Sequence, residues 1–275
     1  MAGWVAGEVG CGILVGVYVP AHFALTDAGC LRILARMGAG DLVTVHAGDD
    51  GMPEPDVTFL PWEYVPAPAG EPDGEVTDAS ESIGLGSLVG HLARNNLQVR
   101  RPVLGPATVV VHEGDHYVSP VDLPSHDDGG RVVPTWDYVT VHAHGELVLH
   151  DDPAWILATM RPLTDRHEHV WAEAVPGMPA TPGTSGGAGT TWSVDDAPQE
   201  FVDRMLRAVV GVELRLGRVV GKAKMSQNKT PADVAGEIDA LEARGRDDLA
   251  AFKREVSLPA AQRRHDLLAD LRKRR

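Results

Sequence analysis

Twelve histidines in this chain are the first places to look for chemistry, because imidazole both ligates metals and moves protons near neutral pH. His91 stands apart from the rest. It follows the apolar run Leu85 to Gly90 and precedes Leu92-Ala93-Arg94-Asn95-Asn96. Read as a strand end opening into a helix at Leu92 to Val99, this place leaves backbone N–H groups free for an anion. Arg94 adds a planar fork of donors suited to a carboxylate or phosphate. An imidazole beside such a pocket is placed to ligate a haem iron or to contact a flavin; a hydrogen-bonded core histidine is the alternative. His142 and His144 lie two apart on an alternating run and share one face of a strand. They lack a third ligand at metal spacing and read as two half-exposed barrel histidines. His167 and His169 are two apart on a helix, do not face each other, and read as surface residues.

The segment Gly221 to Lys229 (GKAKMSQNK) is dense in hydrogen-bond donors. If the preceding strand continues, Lys222 and Lys224 project to one side and suit a phosphate or propionate group. A basic surface turn is the other reading, and it is the one taken for Lys229. Gly84-Leu85-Gly86 is too short for a dinucleotide fingerprint, and no Gly-x-Ser-x-Gly elbow is present.

The elements that would position these residues are mainly strands. Asp41 to His46, Val57 to Val65, Ile83 to His91, Ala107 to His112, Val132 to His150 and Val212 to Val220 alternate or run apolar as strands do. Helices are predicted over Ala28 to Met37 (capped by Thr26 or Asp27), Ala154 to Trp171, and Pro198 to Val210 (capped by Asp195 or Asp196). Helices do not alternate regularly with strands, so a doubly wound parallel sheet is disfavoured. The pattern predicts a mainly β protein with peripheral helices, a small closed or split β-barrel. The expected organisation is an N-terminal extension over 1–16, a barrel domain over 17–235 and a charged helical tail over 236–275. Within the barrel domain a surface insertion is expected at 66–82 and a mobile Pro/Gly/Thr/Ser loop at 177–191.

The formal net charge is −14. Residues 241–275 carry a net +4 and the preceding residues −18. An acidic body repels polyanions, so nucleic acid is a disfavoured partner. The tail reads as a solvated helix, with Arg272 to Arg275 as a weaker nucleic-acid contact. Two cysteines, Cys11 and Cys30, offer no disulfide framework. The apolar stretch Gly10 to Val19 is too short to span a bilayer and lacks the basic start of a signal peptide. A cytoplasmic protein without membrane contact is expected.

Several motifs, in order, resemble the PaiB-like family of FMN-binding negative transcriptional regulators. They are Tyr18-Val19-Pro20-Ala21-His22-Phe23, Gly90-His91-Leu92-Ala93-Arg94-Asn95-Asn96, Tyr117-Val118-Ser119-Pro120, Val132-Val133-Pro134-Thr135-Trp136-Asp137-Tyr138 with Val141-His142, and Gly221 to Lys229. The resemblance implies an FMN-binding split barrel, a homodimer with cofactor pockets at the subunit interface. It places Ser119, Trp136, Lys222, Lys224 and Gln227 with His91 and Arg94 as cofactor-binding residues. The chain departs from the family pattern at Thr58-Phe59-Leu60-Pro61, where a histidine is usual, at Val121-Asp122-Leu123, at Ala223 and at Asp137. These departures resemble the branch of haem-dependent piperazate synthases, which close N5-hydroxyornithine into a ring through an N–N bond. That likeness implies haem b with His91 as axial ligand and an amino-acid substrate. Arg94 would bind a carboxylate, Lys222 or Lys224 the other anionic group, and His142 would be the base. The rival expectations are an FMN-binding regulator and a flavin-dependent oxidoreductase.

Overall fold

The computed structural model describes residues 17–68, 84–127, 129–173, 181–182 and 190–274. Its elements are α1 (Asp27–Arg36), β1 (Ala39–Ala47), β2 (Pro53–Pro61), β3 (Glu63–Val65), β4 (Ser87–Ala93), α2 (Leu97–Arg100), β5 (Ala107–Val118), β6 (Thr135–His150), α3 (Pro153–Glu173), β7 (Thr181–Pro182), β8 (Thr190–Thr191), α4 (Gln199–Ala208), β9 (Val209–Lys224), α5 (Pro231–Ala243), α6 (Asp247–Phe252) and α7 (Leu258–Lys273). A π-helical turn, Lys253–Ser257, joins the last two.

Seven strands form one antiparallel sheet in the order β2-β1-β5-β6-β9-β4-β3. The two outermost strands are consecutive in sequence, separated only by Trp62, so one bent segment supplies both edges and curls the sheet toward a barrel. Asn96 Nδ2, just after β4, donates to Thr58 Oγ1 of β2 at 3.2 Å across this closure. The mainly β architecture expected from the alternation is the one observed, a split β-barrel with helices around it. Inside lie Leu42, Val109, Val111, Val141, Ala143, Val212 and Leu214. Helix α1, capped by Thr26 Oγ1 on the Gly29 N–H (3.1 Å), presses Cys30 and Leu34 into this interior. The approach is so close that a Cβ on Gly221 would lie 2.5 Å from Cys30 Sγ.

Element lengths differ from expectation where local chemistry hides the pairing. β2 starts at Pro53 rather than Val57, because its register with β1 runs from Ala47↔Pro53 to Ala39↔Pro61; as an edge strand it tolerates prolines. β5 continues past His112 to Val118, a register shift between His112 and Gly114 letting the pairing resume. β6 starts at Thr135. β4 runs through His91 to Ala93, so His91 lies within a strand and not at a helix start, and α2 has only four residues. Asp195 and Asp196 do not cap α4. They belong to a 3-10 turn closed by a capping box with Ser193. The 1–16 extension lies outside the described residues, as does most of the 66–82 insertion. In the 177–191 loop the described residues form the short parallel pair β7–β8.

The boundary expected at 235/236 falls inside α5. Val234, Ile238 and Leu241, spaced along one face of that helix, belong to the same core as the strands, as do Leu249, Ala250 and Ala261. Only α7 matches the expected solvated helix, with Ala261 its one buried residue. Among the described residues no helix is long and apolar enough to cross a membrane.

The C-terminal helices are pinned by charge as well as by apolar contact. Lys253 is fully buried; its Nζ donates to Asp137 Oδ2 of β6 at 2.6 Å and to Glu237 Oε2 of α5. Ser226 Oγ lies 2.7 Å from Asp137 Oδ2 and 2.9 Å from Glu237 Oε1. One hydroxyl proton serves only one of these acceptors. Burial raises the Glu237 pKa against the pull of Lys253, which favours a proton on Glu237 to complete the second bond. Replacing Lys253 by Met leaves two buried acids without their cation, so Lys253→Met is expected to lower unfolding stability by about 3–5 kcal/mol in urea melts. Adding Asp137→Asn to that variant should restore part of the loss.

Candidate functional site

The sequence-predicted residues fall into two groups on the outer face of the sheet. In the first, His91 stands opposite Gly211 of β9, and Gly211 stands opposite His150 of β6. Trp155 of α3 stacks on the His150 ring at 3.7 Å and covers Gly211, where a Cβ would lie 2.4 Å from the indole. His150 Nε2 pairs with Glu213 Oε2 at 3.0 Å. His91 Nδ1 is buried without a hydrogen-bond partner, and burial lowers the pKa of the ring, favouring neutral imidazole. Arg94 is committed elsewhere. It donates to Asp151 Oδ1 (2.6 Å) and to the carbonyls of Arg207 (3.1 Å) and Val209 (2.8 Å). The fork expected to hold an anion instead ties β4 to the end of β6 and to the α4–β9 junction.

The second group lies far along the same strands, separated from His91 by roughly 35 Å of strand at ~3.3 Å per residue. Lys222 and Lys224 do share a face, opposite Thr140 and Tyr138. Their roles differ. Lys224 Nζ is spent on Thr135 Oγ1 (2.8 Å), the Trp136 carbonyl (2.5 Å) and Asp137 Oδ1 (3.3 Å). Lys222 Nζ donates to the Tyr18 carbonyl (3.2 Å) and lies 5.9 Å and 5.3 Å from the ring centroids of Tyr18 and Tyr138. No ion pair among the described residues includes it. Trp136 is exposed and donates its Nε1–H to Asp115 Oδ1, with the Tyr117 ring 6.2 Å away. Gln227 is buried and folds its amide onto Met225 N and Ala223 O, so it shapes the turn and does not reach a ligand. Ser119 precedes a 3-10 turn, Pro120–Asp122. His142 is half-buried between Val110 and Val220 on the outer face, one same-face position from the Thr140↔Lys222 pair. The geometry therefore does not assemble His91, Arg94, Lys222 and Lys224 into one pocket within the chain.

Two features were missed from sequence. Tyr18 and Tyr138 flank Lys222, a contact that joins chain segments some 200 residues apart. The group His116, Asp137 and Glu237 brings ligand atoms within 4.8 Å of one another, but Lys253 Nζ already occupies the place of a cation there.

Residues 17–218 match a family described as "Putative FMN-binding domain". The chain belongs to this FMN-binding family. The match covers the barrel up to Arg218 in β9 and omits the C-terminal helices. An uncharacterized protein of Aspergillus fumigatus is 27% identical over 216 residues, covering 70% of this chain and 79% of that protein. One of Saccharomyces cerevisiae is 26% identical over 167 residues, covering 55% of this chain and 90% of its own. Among solved structures, a conserved hypothetical protein of Mycobacterium tuberculosis is 13% identical with a TM-score of 0.43, covering 76% of this chain and 91% of that one. A pyridoxamine 5'-phosphate oxidase-related, FMN binding protein of Nostoc punctiforme is 14% identical with a TM-score of 0.29, covering 70% and 78%. The comparisons point to the FMN-binding family and not to its piperazate synthase branch or to haem b.

Two histidines of this FMN-binding fold are held neutral. Burial, then Lys253, lowers the His116 pKa to about 4; burial, then Arg218, lowers that of His144 to about 4. Unfolded histidine titrates near ~6.5. Between these values the unfolded chain binds more protons, so stability is complete above pH ~6.5 and falls as pH drops toward 4. The expected slope is up to about 1.4 kcal/mol per pH unit for each histidine. Urea melts across this range should show the loss, and His144→Asn should flatten it.

Proposed function

We propose that this protein holds FMN against the outer face of β6 and β9 and serves as a flavin-dependent oxidoreductase. The observation that carries the reading is Lys222: a half-buried ammonium with no carboxylate partner among the described residues, set between two tyrosine rings. Such a group fits a phosphate. The exposed faces of Tyr18, Tyr117 and Trp136 offer aromatic surface for a planar ring. Bound FMN supplies the electron-transfer chemistry; the chain's residues anchor and orient it. A second copy of the chain completes the site in this reading, covering the apolar outer face where Val57 and Phe59 are 60% and 70% exposed. The acidic net charge counts against a DNA-binding regulator.

A haem-ligating role, and with it piperazate synthesis, draws on one observation, the unpartnered buried Nδ1 of His91. Absorption spectra after incubation with FMN or haemin, followed by gel filtration, separate the two. Retained flavin bands are expected, with Lys222→Ala weakening FMN about tenfold to a hundredfold, the loss of one charged hydrogen bond, and His91→Ala leaving it unchanged. A retained Soret band that His91→Ala abolishes would overturn the flavin reading.

A further inference from the structure

A second hollow lies between the end of β5 and α5, with Tyr117 at its wall. It has a volume of about 140 Å3, and His116, Ser119, Glu237, Leu241, Arg244 and Arg246 line it. His116 is 9% exposed, and neither of its ring nitrogens has a hydrogen-bond partner. Buried polar atoms are rarely left so.

The unsatisfied capacity here is mostly on the donor side. The carboxylates are engaged: Asp122 accepts from Arg244 at 3.0 Å, and Glu237 is held by Lys253 and Ser226. The Ser119 hydroxyl has no partner among the described residues. Among the described residues the Arg246 side chain makes only long contacts, 3.4 Å to the Asp115 carbonyl and 3.9 Å to Asp248 Oδ1. A donor-rich, acceptor-poor hollow calls for a ligand that accepts. Leu241 supplies an apolar wall, and the engaged carboxylates disfavour a dianion.

We propose that this cavity binds a short-chain carboxylate, its oxygens on His116 and Arg246 and its alkyl part against Leu241. The neutral state of His116 leaves one ring N–H to donate. The wall includes Tyr117, which the flavin reading also uses, but the proposed carboxylate ligands His116 and Arg246 are not among the groups that hold flavin in that reading.

Isothermal titration of the full-length protein with sodium propionate at neutral pH and constant ionic strength tests this, with phosphate and chloride as comparison anions. The expected result is saturable one-to-one binding of propionate, with a shift of the His116 ring 15N resonances. His116→Phe and Arg246→Gln should each weaken binding by about tenfold or more, near 1.4 kcal/mol. The Arg246 side chain is 45% exposed, so Arg246→Gln is expected to fold as the parent does even if His116→Phe does not. Non-saturable heats, phosphate or chloride saturating as tightly as propionate, or unchanged affinity in Arg246→Gln would each overturn the proposal.

Discussion

An ammonium group buried without exposed surface needs both counter-charge and hydrogen bonds. For Lys253 these come from three separate parts of the chain. Asp137 arrives on β6, Glu237 on α5, and the Met225 carbonyl, at 3.4 Å, on the turn after β9, where the neighbouring Ser226 hydroxyl contacts both acids. Ser226 holds a left-handed backbone with φ of 69°, a conformation that costs a non-glycine residue about 1 kcal/mol or more and that its two carboxylate contacts hold in place. The cluster makes the C-terminal helices part of the barrel core, although the family match ends before them. It also reaches the outer surface. Asp137 uses one oxygen for Lys253 and the other for Lys224, so Lys224 is tied to the protein and Lys222 is left as the cation open to a ligand.

The two longest strands, β6 and β9, distribute the remaining chemistry. Alternation places Val141, Ala143, Val212 and Leu214 inside and sends Lys222, Tyr138, His142, Glu213 and His150 to the outer face. One face therefore carries two separate polar regions, with His142 between them. The region at His91 is closed by Trp155 and by the commitment of Arg94 to Asp151 and two carbonyls. The region at Lys222 is open and aromatic. This difference in cover, rather than residue type, separates a structural histidine neighbourhood from a face open to a ligand.

Legibility followed the strength of local signals. The alternating run from Tyr138 to Val148 announces β6, and Thr26 announces the start of α1. The start of β2 is hidden because Pro53 and Pro55 look like turn residues, and only pairing with β1 makes them strand. The second half of β5 is hidden because His112 to Asp115 is polar, and only the register shift past His112 lets pairing resume. The charged composition of the tail suggests solvation, yet Val234, Ile238 and Leu241 fall on one face and Lys253 finds buried partners. The donor fork of Arg94 is legible as a residue type, but its acceptors lie more than fifty residues away in sequence.

The sequence by itself determined the class of the molecule: alternating strands with short turns, a β-rich closed sheet, and ordered motifs sufficient to mark an FMN-binding family. It also marked the lysine pair and the outlying histidine as the groups with chemical capacity. The tertiary structure decided which capacities are already used. Lys224, Gln227 and Arg94 are fully engaged by protein acceptors, whereas among the described residues Lys222 meets a single carbonyl and no carboxylate, and the His116 ring meets none. That division rests on contacts between distant segments, because a hydrogen bond or ion pair depends on where a partner lies in space, and side-chain type and spacing along the chain do not encode it.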